Sequence, residues 1–474
     1  MAGPGSHIRH RIMWIPAMDL LSLIIGGVIG SVVRFGQEEI ASYVFQHLDG
    51  WFILFGSVLT ANYLAGSYRI QYSVSRFNLI VTWFFSLLFA MLILSLTSYA
   101  WFNYLLGRGV LLLSLACYSL ISLFLKMFVY KALFRSDLFL CRTVIVGAGK
   151  RARALRAMLE SEWVLPAHKV VAYIQLVRDG GEEAEHYTMV DGVALVNAAS
   201  DKFEALVHSL GVNLIVVGLD DPEEAASFVF RLRRLRFEGI EVLTAFGATE
   251  IYGGWTSLDL INEEYLLAVS MESGLPTLAR SKRLTDIAAS VVACIILLPL
   301  AVAIAILIKV TGPRGPVLYS QMRVGRFGRE FRIYKFRTMR QGAEDETGPV
   351  WSGKADPRTT FFGRVLRRFR LDEIPQFFNI IRGDMSLVGP RPERPELAAD
   401  LERKIPFYRE RENIMPGLTG WAQVRYGYGN SVEDAARKLE YDLYYMKHLS
   451  FALDLQILLS TLQIVIFGAK KGKG

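Results

Sequence analysis

Cysteine is scarce in this chain, and its distribution excludes several kinds of site. The 474 residues contain only three cysteines, Cys117, Cys141 and Cys294, without a CxxC pair or the spacing of zinc ligands. We therefore expect reduced, structural thiols rather than a disulfide framework or a zinc centre. The N-terminus shows no evident cleavable signal peptide.

Charged residues are also few, and apolar residues are abundant. Charged residues make up 21% of the sequence and hydrophobic residues 52%, and the mean hydropathy is +0.30. The apolar residues lie in blocks, which is typical of a membrane protein. The net charge of +8 suits anionic lipid headgroups or nucleotide phosphates. Nucleic acid is not an expected partner, because the basic residues lie beside apolar runs of membrane length.

Four apolar segments in the first part of the chain have about the length that crosses a bilayer. They cover residues 14–33, 51–68, 78–99 and 110–130. Basic residues precede the first segment, lie between the second and third, and follow the fourth, so both ends are expected in the cytoplasm. Residues 1–135 are therefore predicted to form a four-helix transmembrane bundle. The bundle has no chain of ionisable residues typical of a pore or proton relay, which favours anchoring or dimerisation.

A soluble composition begins after the bundle and predicts a Rossmann-like α/β domain over residues 136–265. A buried strand at residues 143–146 leads into Gly147 and Gly149, which have the spacing of a nucleotide-binding loop. The domain has no tyrosine followed four residues later by lysine, the pair that hydride or dehydratase chemistry would need. We expect a structural or regulatory remnant of a nucleotide fold, or a domain that binds a signalling nucleotide without reacting.

A second membrane-length apolar run covers residues 284–308 and contains Pro299. Basic residues flank it on both sides, and each end therefore prefers the cytoplasmic face. Proline removes a backbone donor and permits a bend. The pattern predicts a re-entrant helix with its hinge at Pro299; a kinked transmembrane helix is the alternative. A further apolar segment at residues 449–467 is expected to lie in the headgroup region or to span the membrane.

The stretch of residues 362–393 carries the strongest chemical signal. Asp372 and Glu373 follow an arginine cluster and precede a turn that contains Asp384 and Arg391. Arginine forks match phosphate oxygens, and carboxylates hold a divalent metal or attack phosphorus. A helix is predicted to begin near Pro375. Taken alone, the acidic pair also fits a solvated surface helix.

Three neighbouring motifs favour the chemical interpretation. They are YKFRTM at residues 334–339, GDMSLVGPRP at 383–392 and PGLTGWAQV at 416–424. In this order, behind an apolar hairpin, they resemble the bacterial polyprenyl-phosphate sugar-1-phosphate transferases, which are monotopic phosphoglycosyl transferases. The resemblance covers about residues 278–474, and the front part resembles the large, WbaP-like branch of that superfamily.

The resemblance implies an α+β monotopic catalytic domain over residues 266–474. Such a domain moves sugar-1-phosphate from a UDP-sugar, here expected to be UDP-glucose or UDP-galactose, to undecaprenyl phosphate. It implies Asp372 as nucleophile in a covalent aspartyl phospho-sugar intermediate and Glu373 as ligand of Mg²⁺. The residues expected to contact phosphate are Lys335, Arg337, Arg367 and Arg391.

The same resemblance implies a multi-pass protein of the bacterial inner membrane, with its catalytic domain on the cytoplasmic face and a possible homodimeric state. Two other functions remain open from the residues. One is a membrane-bound NAD-dependent epimerase or dehydratase of nucleotide sugars, suggested by the glycine loop. The other is a non-enzymatic scaffold of a polysaccharide export complex.

Overall fold

The computed structural model describes most of the chain. The described residues are 6–36, 40–65, 67–68, 76–100, 106–130, 140–161, 164, 168–176, 187–198, 203–221, 232–261, 263, 265–267, 269, 276–311, 315–339, 358–426, 429 and 431–467. They fall into two compact units, residues 1–253 and 254–474. The three domains predicted with boundaries at 135 and 265 stay a prediction.

The first unit begins with five helices. They are α1 (Ser6–Phe35), α2 (Ile40–Gln46), α3 (Leu48–Leu64), α4 (Arg76–Ala100) and α5 (Arg108–Phe124), and a π-helical segment (Leu125–Tyr130) continues α5. Buried apolar residues of α1, α3, α4 and α5, among them Leu23, Leu54 and Ala90, form one core cluster. Many apolar side chains on the outer faces are exposed, such as Phe52 and Leu96. Apolar outer faces on helices of this kind are typical of segments in contact with lipid.

A buried polar network crosses this helical core, and the sequence analysis did not single it out. The carboxylate of Asp19 in α1 lies 3.0 Å from the ammonium of Lys126 and accepts a hydrogen bond of 2.8 Å from Ser122. Asn62 in α3 donates to the hydroxyl of Tyr118 at 2.8 Å. Buried ionic and polar groups that satisfy one another fix how helices pack in an apolar environment.

The α/β part of the first unit is a six-stranded sheet. Its strands are β1 (Cys141–Val146), β2 (His168–Leu176), β3 (Tyr187–Val190), β4 (Val193–Ala198), β5 (Leu214–Val217) and β6 (Glu241–Thr244). The order is β3-β4-β2-β1-β5-β6, and all neighbouring pairs are parallel except β3 with β4. The chain leaves β1 on one side for β2 and later returns on the other side as β5. Ligands of open parallel sheets bind at such a reversal of strand order.

The helices of this part lie among the strands in sequence. They are α6 (Lys150–Leu159), α7 (Phe203–Ser209), α8 (Arg233–Phe237) and α9 (Ala245–Ala248). Every residue of β1 except Arg142 is buried, and so are all four residues of β5, as expected for central parallel strands covered on both faces. The predicted α/β domain is thus present.

The second unit opens with α10 (Pro276–Thr311), a 36-residue helix that includes Pro299. Near its start, Arg283 donates to the carbonyls of Ile380 and Ile381 at 2.6 and 2.9 Å. Near its end, Ile304 and Ile308 pack in a buried cluster with Phe336 and Leu366 of the same unit. The middle of the helix exposes apolar side chains, including Ile295 and Ile296. Both ends of α10 are therefore attached to the second unit.

The remaining elements of the second unit are shorter than α10. Its strands are β7 (Leu318–Val324), β8 (Glu330–Phe336), β9 (Ser386–Val388) and β10 (Gly417–Thr419). Its helices are α11 (Phe361–Arg368), α12 (Gln376–Arg382), α13 (Pro395–Lys404), α14 (Trp421–Arg425), α15 (Val432–Lys447) and α16 (Phe451–Phe467). β7 and β8 form an antiparallel hairpin, and β9 pairs with β10 in parallel.

Three helices among the described residues are long and apolar enough to cross a membrane. They cover Pro16–Phe35, Arg108–Met127 and Leu278–Val310, and shorter apolar helices cover Thr82–Thr97 and Phe451–Val465. The predicted combination of apolar membrane helices with an α/β domain is confirmed at this level. The four-helix transmembrane bundle, the re-entrant path of α10 and the interfacial position of α16 stay predictions.

Candidate active site

A tight reversal of the chain brings the acidic pair into the second unit. Helix α11 ends at Arg368, and Arg370 takes left-handed backbone angles, φ 54° and ψ 23°. A single 3₁₀ turn, Leu371–Glu373, follows, and Pro375 is the N-cap of α12. The helix start predicted near Pro375 is therefore confirmed. Asp372 and Glu373 are buried, with 8% and 7% exposure, which excludes the solvated surface helix.

Glu373 is held by three cations. Its Oε1 lies 3.2 Å from the ammonium of Lys335 and 3.1 Å from Nη2 of Arg391, and its Oε2 lies 3.7 Å from Nη1 of Arg370. Burial alone would oppose ionisation, but Lys335, Arg391 and Arg370 hold the pKa of Glu373 well below its usual range. Glu373 is therefore a carboxylate at neutral pH.

Asp372 lies beside this cluster in a different electrostatic state. Burial, together with the charge of Glu373, raises its pKa above the usual value, and Lys335, Arg367 and Arg391 oppose that rise. Among the described residues the Asp372 carboxylate forms no hydrogen bond or ion pair. The two adjacent carboxylates thus differ. Glu373 is saturated, in that three cations surround it, whereas Asp372 is open to a ligand, in that it has no hydrogen-bond or ion-pair partner among the described residues.

Strand β8 supplies Lys335 from the opposite side of the site. Burial lowers the pKa of its ammonium, against the attraction of Glu373. Arg337 follows just after the strand, where its backbone N–H donates to the carbonyl of Val317 at 2.9 Å. The structure brings Lys335 to the carboxylate pair, whereas the phosphate contact of Arg337 stays a prediction.

Arg367 approaches from the last turn of α11. Its Nε donates to the hydroxyl of Thr338 at 2.9 Å, and Nη1 donates to Thr359 at 3.4 Å. The hydroxyl of Thr360 caps the start of the same helix by accepting from the N–H of Gly363. The guanidinium is thus anchored on neutral hydroxyls, and its charge remains available to Asp372.

The loop that carries Arg391 depends on close backbone packing between β9 and β10. A Cβ at Gly389 would collide with the carbonyl oxygen of Met415, and one at Gly417 would collide with the N–H of Gly389. Glycine is required where two backbones approach this closely. This packing explains Gly389 and Gly417, which lie in two of the three sequence motifs. The chain continues from Gly389 through Pro390 into Arg391.

Two further arginines hold the carbonyl groups of this loop. Arg323 in β7 donates to the carbonyl of Pro392 at 3.0 Å, and Arg411 donates to the carbonyl of Arg391 at 2.9 Å. Arg411 also lies 2.9 Å from the carboxylate of Asp442, which is 1% exposed. Burial raises the pKa of Asp442 to about 6, although Arg411 counteracts it. Asp442 therefore acts behind the site, through Arg411.

Sequence reasoning missed three residues that build the site. Arg370 was noted only as one of a cluster, and Gln423 only as part of a motif, yet both contact the site cations or Glu373. Asn379 is fully buried: its amide donates to the carbonyl of Arg332 at 2.8 Å, and its oxygen accepts from the N–H of Tyr334 at 3.1 Å. The one sequence signal for a buried Asn379 is its position on the same helical face of α12 as the buried residues Gln376 and Ile380.

Asp384 has a local role in the turn that contains it. Its carboxylate accepts from Asn379 at 3.1 Å and lies 3.7 Å from Arg382. The residue follows Gly383, whose left-handed φ of 104° ends α12. Asp384 thus fixes the turn between α12 and β9 and does not join the carboxylate pair.

The glycine loop of the first unit lies at the reversal point of the sheet, after β1. A Cβ at Gly149 would collide with the carboxylate of Asp220, and the N–H of Arg151 donates to that carboxylate at 3.4 Å. Gly147 has a φ of 100°, which favours glycine. The start of α6, where a dinucleotide would place its phosphates, thus contacts an anion of the chain itself. This arrangement favours the structural interpretation of Gly147 and Gly149 over the dehydrogenase-like one.

Comparison with known proteins places these observations in a family. Residues 277–468 match the family described as bacterial sugar transferase. The chain is 38% identical, over 198 residues, to the "Exopolysaccharide production protein PSS" of Rhizobium leguminosarum bv. phaseoli, covering 41% of this chain and 97% of that protein. The chain belongs to the bacterial sugar transferase family, which confirms the predicted resemblance. With its apolar helices, it is a membrane-associated protein.

Two longer relatives are similar over part of their length. The chain is 40% identical over 258 residues to a "UDP-N-acetylgalactosamine-undecaprenyl-phosphate N-acetylgalactosaminephosphotransferase" of Aeromonas hydrophila, covering 54% of this chain and 60% of that protein. It is 42% identical over 183 residues to a "UDP-glucose:undecaprenyl-phosphate glucose-1-phosphate transferase" of Xanthomonas campestris pv. campestris, covering 38% of each. The matches span well under two thirds of these two relatives.

Proposed function

We propose that the protein transfers sugar-1-phosphate from a UDP-sugar to undecaprenyl phosphate, yielding undecaprenyl-diphospho-sugar and UMP. Relatives from two bacteria are named for this reaction. The observation that carries the proposal is the buried carboxylate pair, in which Glu373 is saturated by cations and Asp372 is open. An open carboxylate with cations close by suits attack on an anionic phosphorus, because the cations offset the charge repulsion.

In the first step an oxygen of Asp372 attacks the phosphorus that bears the sugar. The bond between this phosphorus and the bridging oxygen breaks, and UMP leaves with the electron pair. The product is an aspartyl phospho-sugar, and no proton transfer is needed. Lys335, Arg367 and Arg391, whose charges act on Asp372, would stabilise the charge that develops on the phosphate oxygens.

In the second step a phosphate oxygen of the lipid attacks the same phosphorus. The bond to Asp372 breaks, and the free carboxylate is restored. One anhydride is broken and one is made overall, so the free-energy change of the reaction is small. The protein therefore acts on the barrier, by positioning and by charge.

The attachment of α10 supports a re-entrant path with its hinge at Pro299. Lys282, Arg283 and Asp286 near its start and Ile304 and Ile308 near its end all contact the second unit. A helix that returns to the side from which it entered would place both ends against one domain. The site would then lie level with the lipid headgroups on the cytoplasmic face of a bacterial inner membrane, where lipid phosphate and nucleotide meet.

The acidic pair offers the oxygen ligands that Mg²⁺ prefers, but too few of them to hold the ion alone. Mg²⁺ binds one or two carboxylates together with substrate phosphates and waters. The described residues contain no group of three or more histidine, cysteine or acidic side chains that could hold a metal. Glu373, with Asp372 beside it, would therefore hold the ion jointly with the donor diphosphate, in competition with the three cations. When bound, the ion would neutralise charge on that diphosphate.

The proposal assigns glucose or galactose as the sugar and the start of exopolysaccharide, O-antigen or capsule synthesis as the pathway step. A homodimer is part of the same proposal. The relative from Aeromonas hydrophila is named for N-acetylgalactosamine, so this sugar belongs in any test. Nucleic acid is not a proposed partner.

The decisive experiment measures UMP release by the purified, lipid-reconstituted protein. It would receive Mg²⁺, undecaprenyl phosphate and, in separate reactions, UDP-glucose, UDP-galactose and UDP-N-acetylgalactosamine. We expect lipid-dependent UMP release with at least one hexose donor and its loss in Asp372→Asn. A scaffold would release no UMP with any donor, and an epimerase would keep its activity in Asp372→Asn.

A further inference from the structure

The amide of Gln423 bridges two arginines of the site. Its Oε1 accepts from Nη1 of Arg391 at 3.3 Å and from Nη1 of Arg370 at 3.4 Å. Arg391 also contacts Glu373 through its other terminal nitrogen, Nη2, at 3.1 Å, whereas Arg370 approaches Glu373 with the same Nη1, at 3.7 Å. A neutral amide orients guanidinium groups without cancelling their charge, unlike a carboxylate. Gln423 therefore holds the two arginines together while leaving them attractive to an anion.

The charge balance of the site calls for such an anion. Among the described residues, the cations that act most on the acidic pair are four: Lys335, Arg367, Arg370 and Arg391. They face two carboxylates, so positive charge remains in excess. A cluster in which cations outnumber the carboxylates of the pair attracts anions. A ligand that carries two negative charges would remove this imbalance.

The four cations divide between the two carboxylates. Arg367 acts on Asp372 from its anchor on Thr338, whereas Arg370 acts on Glu373. Lys335 and Arg391 act on both. The side chains of Arg370 and Arg391 are 20% and 39% exposed, so both can be reached from solvent.

The backbone at Arg370 also points to function. Its φ of 54° lies in the left-handed region, which arginine rarely adopts. Such strain persists where the surroundings require it, often in ligand-binding sites. Here the strained turn directs the Arg370 side chain to Glu373 and Gln423.

We propose that Arg370 and Arg391, bridged by Gln423, bind the phosphate of the leaving nucleoside monophosphate. This inference rests on the proposed function for the identity of the donor. The bridged pair binds the phosphate that remains on the nucleoside, while Arg367 stays with the phosphorus that Asp372 attacks. Arg370 and Gln423 are thereby residues that set donor affinity.

The test measures UMP binding by the full-length, lipid-reconstituted protein, using calorimetry. Arg370→Asn is the main variant, because asparagine tolerates the left-handed conformation better than most residues. We expect UMP to bind at least about tenfold more weakly, as for the loss of a charge-assisted hydrogen bond. Binding of uridine, which has no phosphate, should not change. Arg368→Gln is the matched control, since it removes an exposed arginine two residues away.

Two further variants separate charge from position. Arg370→Lys keeps the charge and should recover part of the UMP affinity. Gln423→Glu would neutralise the bridged pair, so it should weaken UMP binding more than Gln423→Leu and raise KM for the donor more than it lowers kcat. Thermal unfolding of each variant checks that the fold is intact.

The outcomes distinguish this inference from the proposed function. UMP affinity and donor KM that stay at parent values in a folded Arg370→Asn variant overturn the bridged pair, even if the parent protein releases UMP. Weaker UMP binding in Arg370→Asn, with uridine unaffected, supports the pair even if no donor is turned over. Equal losses for UMP and uridine would also overturn it, because they indicate a general defect.

Discussion

The carboxylate of Asp286, on the apolar helix α10, accepts a hydrogen bond of 2.6 Å from the hydroxyl of Ser386 in β9. The same carboxylate accepts from the N–H of Leu387 at 3.3 Å. β9 ends at Val388, three residues before Arg391. The apolar helix α10 and the segment that leads into Arg391 are therefore connected through one side chain.

Replacing Asp286 with alanine should destabilise the second unit. The substitution removes the side-chain acceptor of the Leu387 N–H and breaks the 2.6 Å bond of the Ser386 hydroxyl, which keeps the carbonyl of Val388 at 3.0 Å as an acceptor. The expected cost is about 1–3 kcal/mol, mainly for the Leu387 N–H. Thermal unfolding in lipid nanodiscs should show a lower Tm. Thr285→Ala is the matched control, because this exposed hydroxyl bonds only within its own helix. Equal Tm values for the two variants would contradict a stabilising role of the Asp286 hydrogen bonds.

Replacing Asp372 with asparagine should remove turnover while leaving the fold intact. The amide keeps the shape but is not a nucleophile, and we expect a loss of about a thousandfold or more in UMP release. Rapid quenching of the parent with a radiolabelled donor should trap label on the peptide that contains Asp372. Asp384→Asn serves as control, since its carboxylate stabilises a turn. A parent-like rate in Asp372→Asn would refute the nucleophile.

Removal of divalent metal should stop UMP release, and added Mg²⁺ should restore it. If Glu373 shares the ion with the donor, Glu373→Gln should raise the half-saturating Mg²⁺ concentration by about tenfold or more, as for the loss of a metal contact. The measurement is the initial rate across a Mg²⁺ titration with EDTA-treated protein. A rate that is independent of EDTA would contradict the proposed cofactor.

The buried pair of Arg411 and Asp442 should behave as a unit. Arg411→Met leaves the Asp442 carboxylate buried without its cation, which should destabilise the second unit by about 3–5 kcal/mol. The double variant Arg411→Met with Asp442→Leu should recover most of that loss. The single and the double variant should both raise the KM for the UDP-sugar, because the carbonyl of Arg391 loses the hydrogen bond from Arg411. Chemical unfolding and donor titrations provide the two measurements, and additive losses in the double variant would contradict the coupling.

The acidic pair, Lys335, Arg391 and the helix start at Pro375 could be predicted because each lies in a compact motif with chemical meaning. The α/β domain could also be predicted from the sequence, because a buried strand before a glycine loop is a local pattern. Asp19 and Lys126 were not paired in advance, because they are 107 positions apart in the numbering and meet only when α1 packs against α5. Asp220 was missed for the same reason: it follows β5, which lies next to β1 in the sheet but is the fourth strand after β1 in the sequence. Long-range polar contacts of this kind have no periodicity to reveal them.

The double attachment of α10 has a mechanical consequence. A helix fixed at both ends to one folded body cannot adjust to its surroundings by tilting alone, as a freely hinged anchor would. In the proposed membrane setting, a change in acyl-chain length would instead strain the contacts of Asp286 with β9 and of Ile304 and Ile308 with Leu366, six residues before Asp372. The thickness of the lipid layer would then be one of the variables that set the geometry around Asp372.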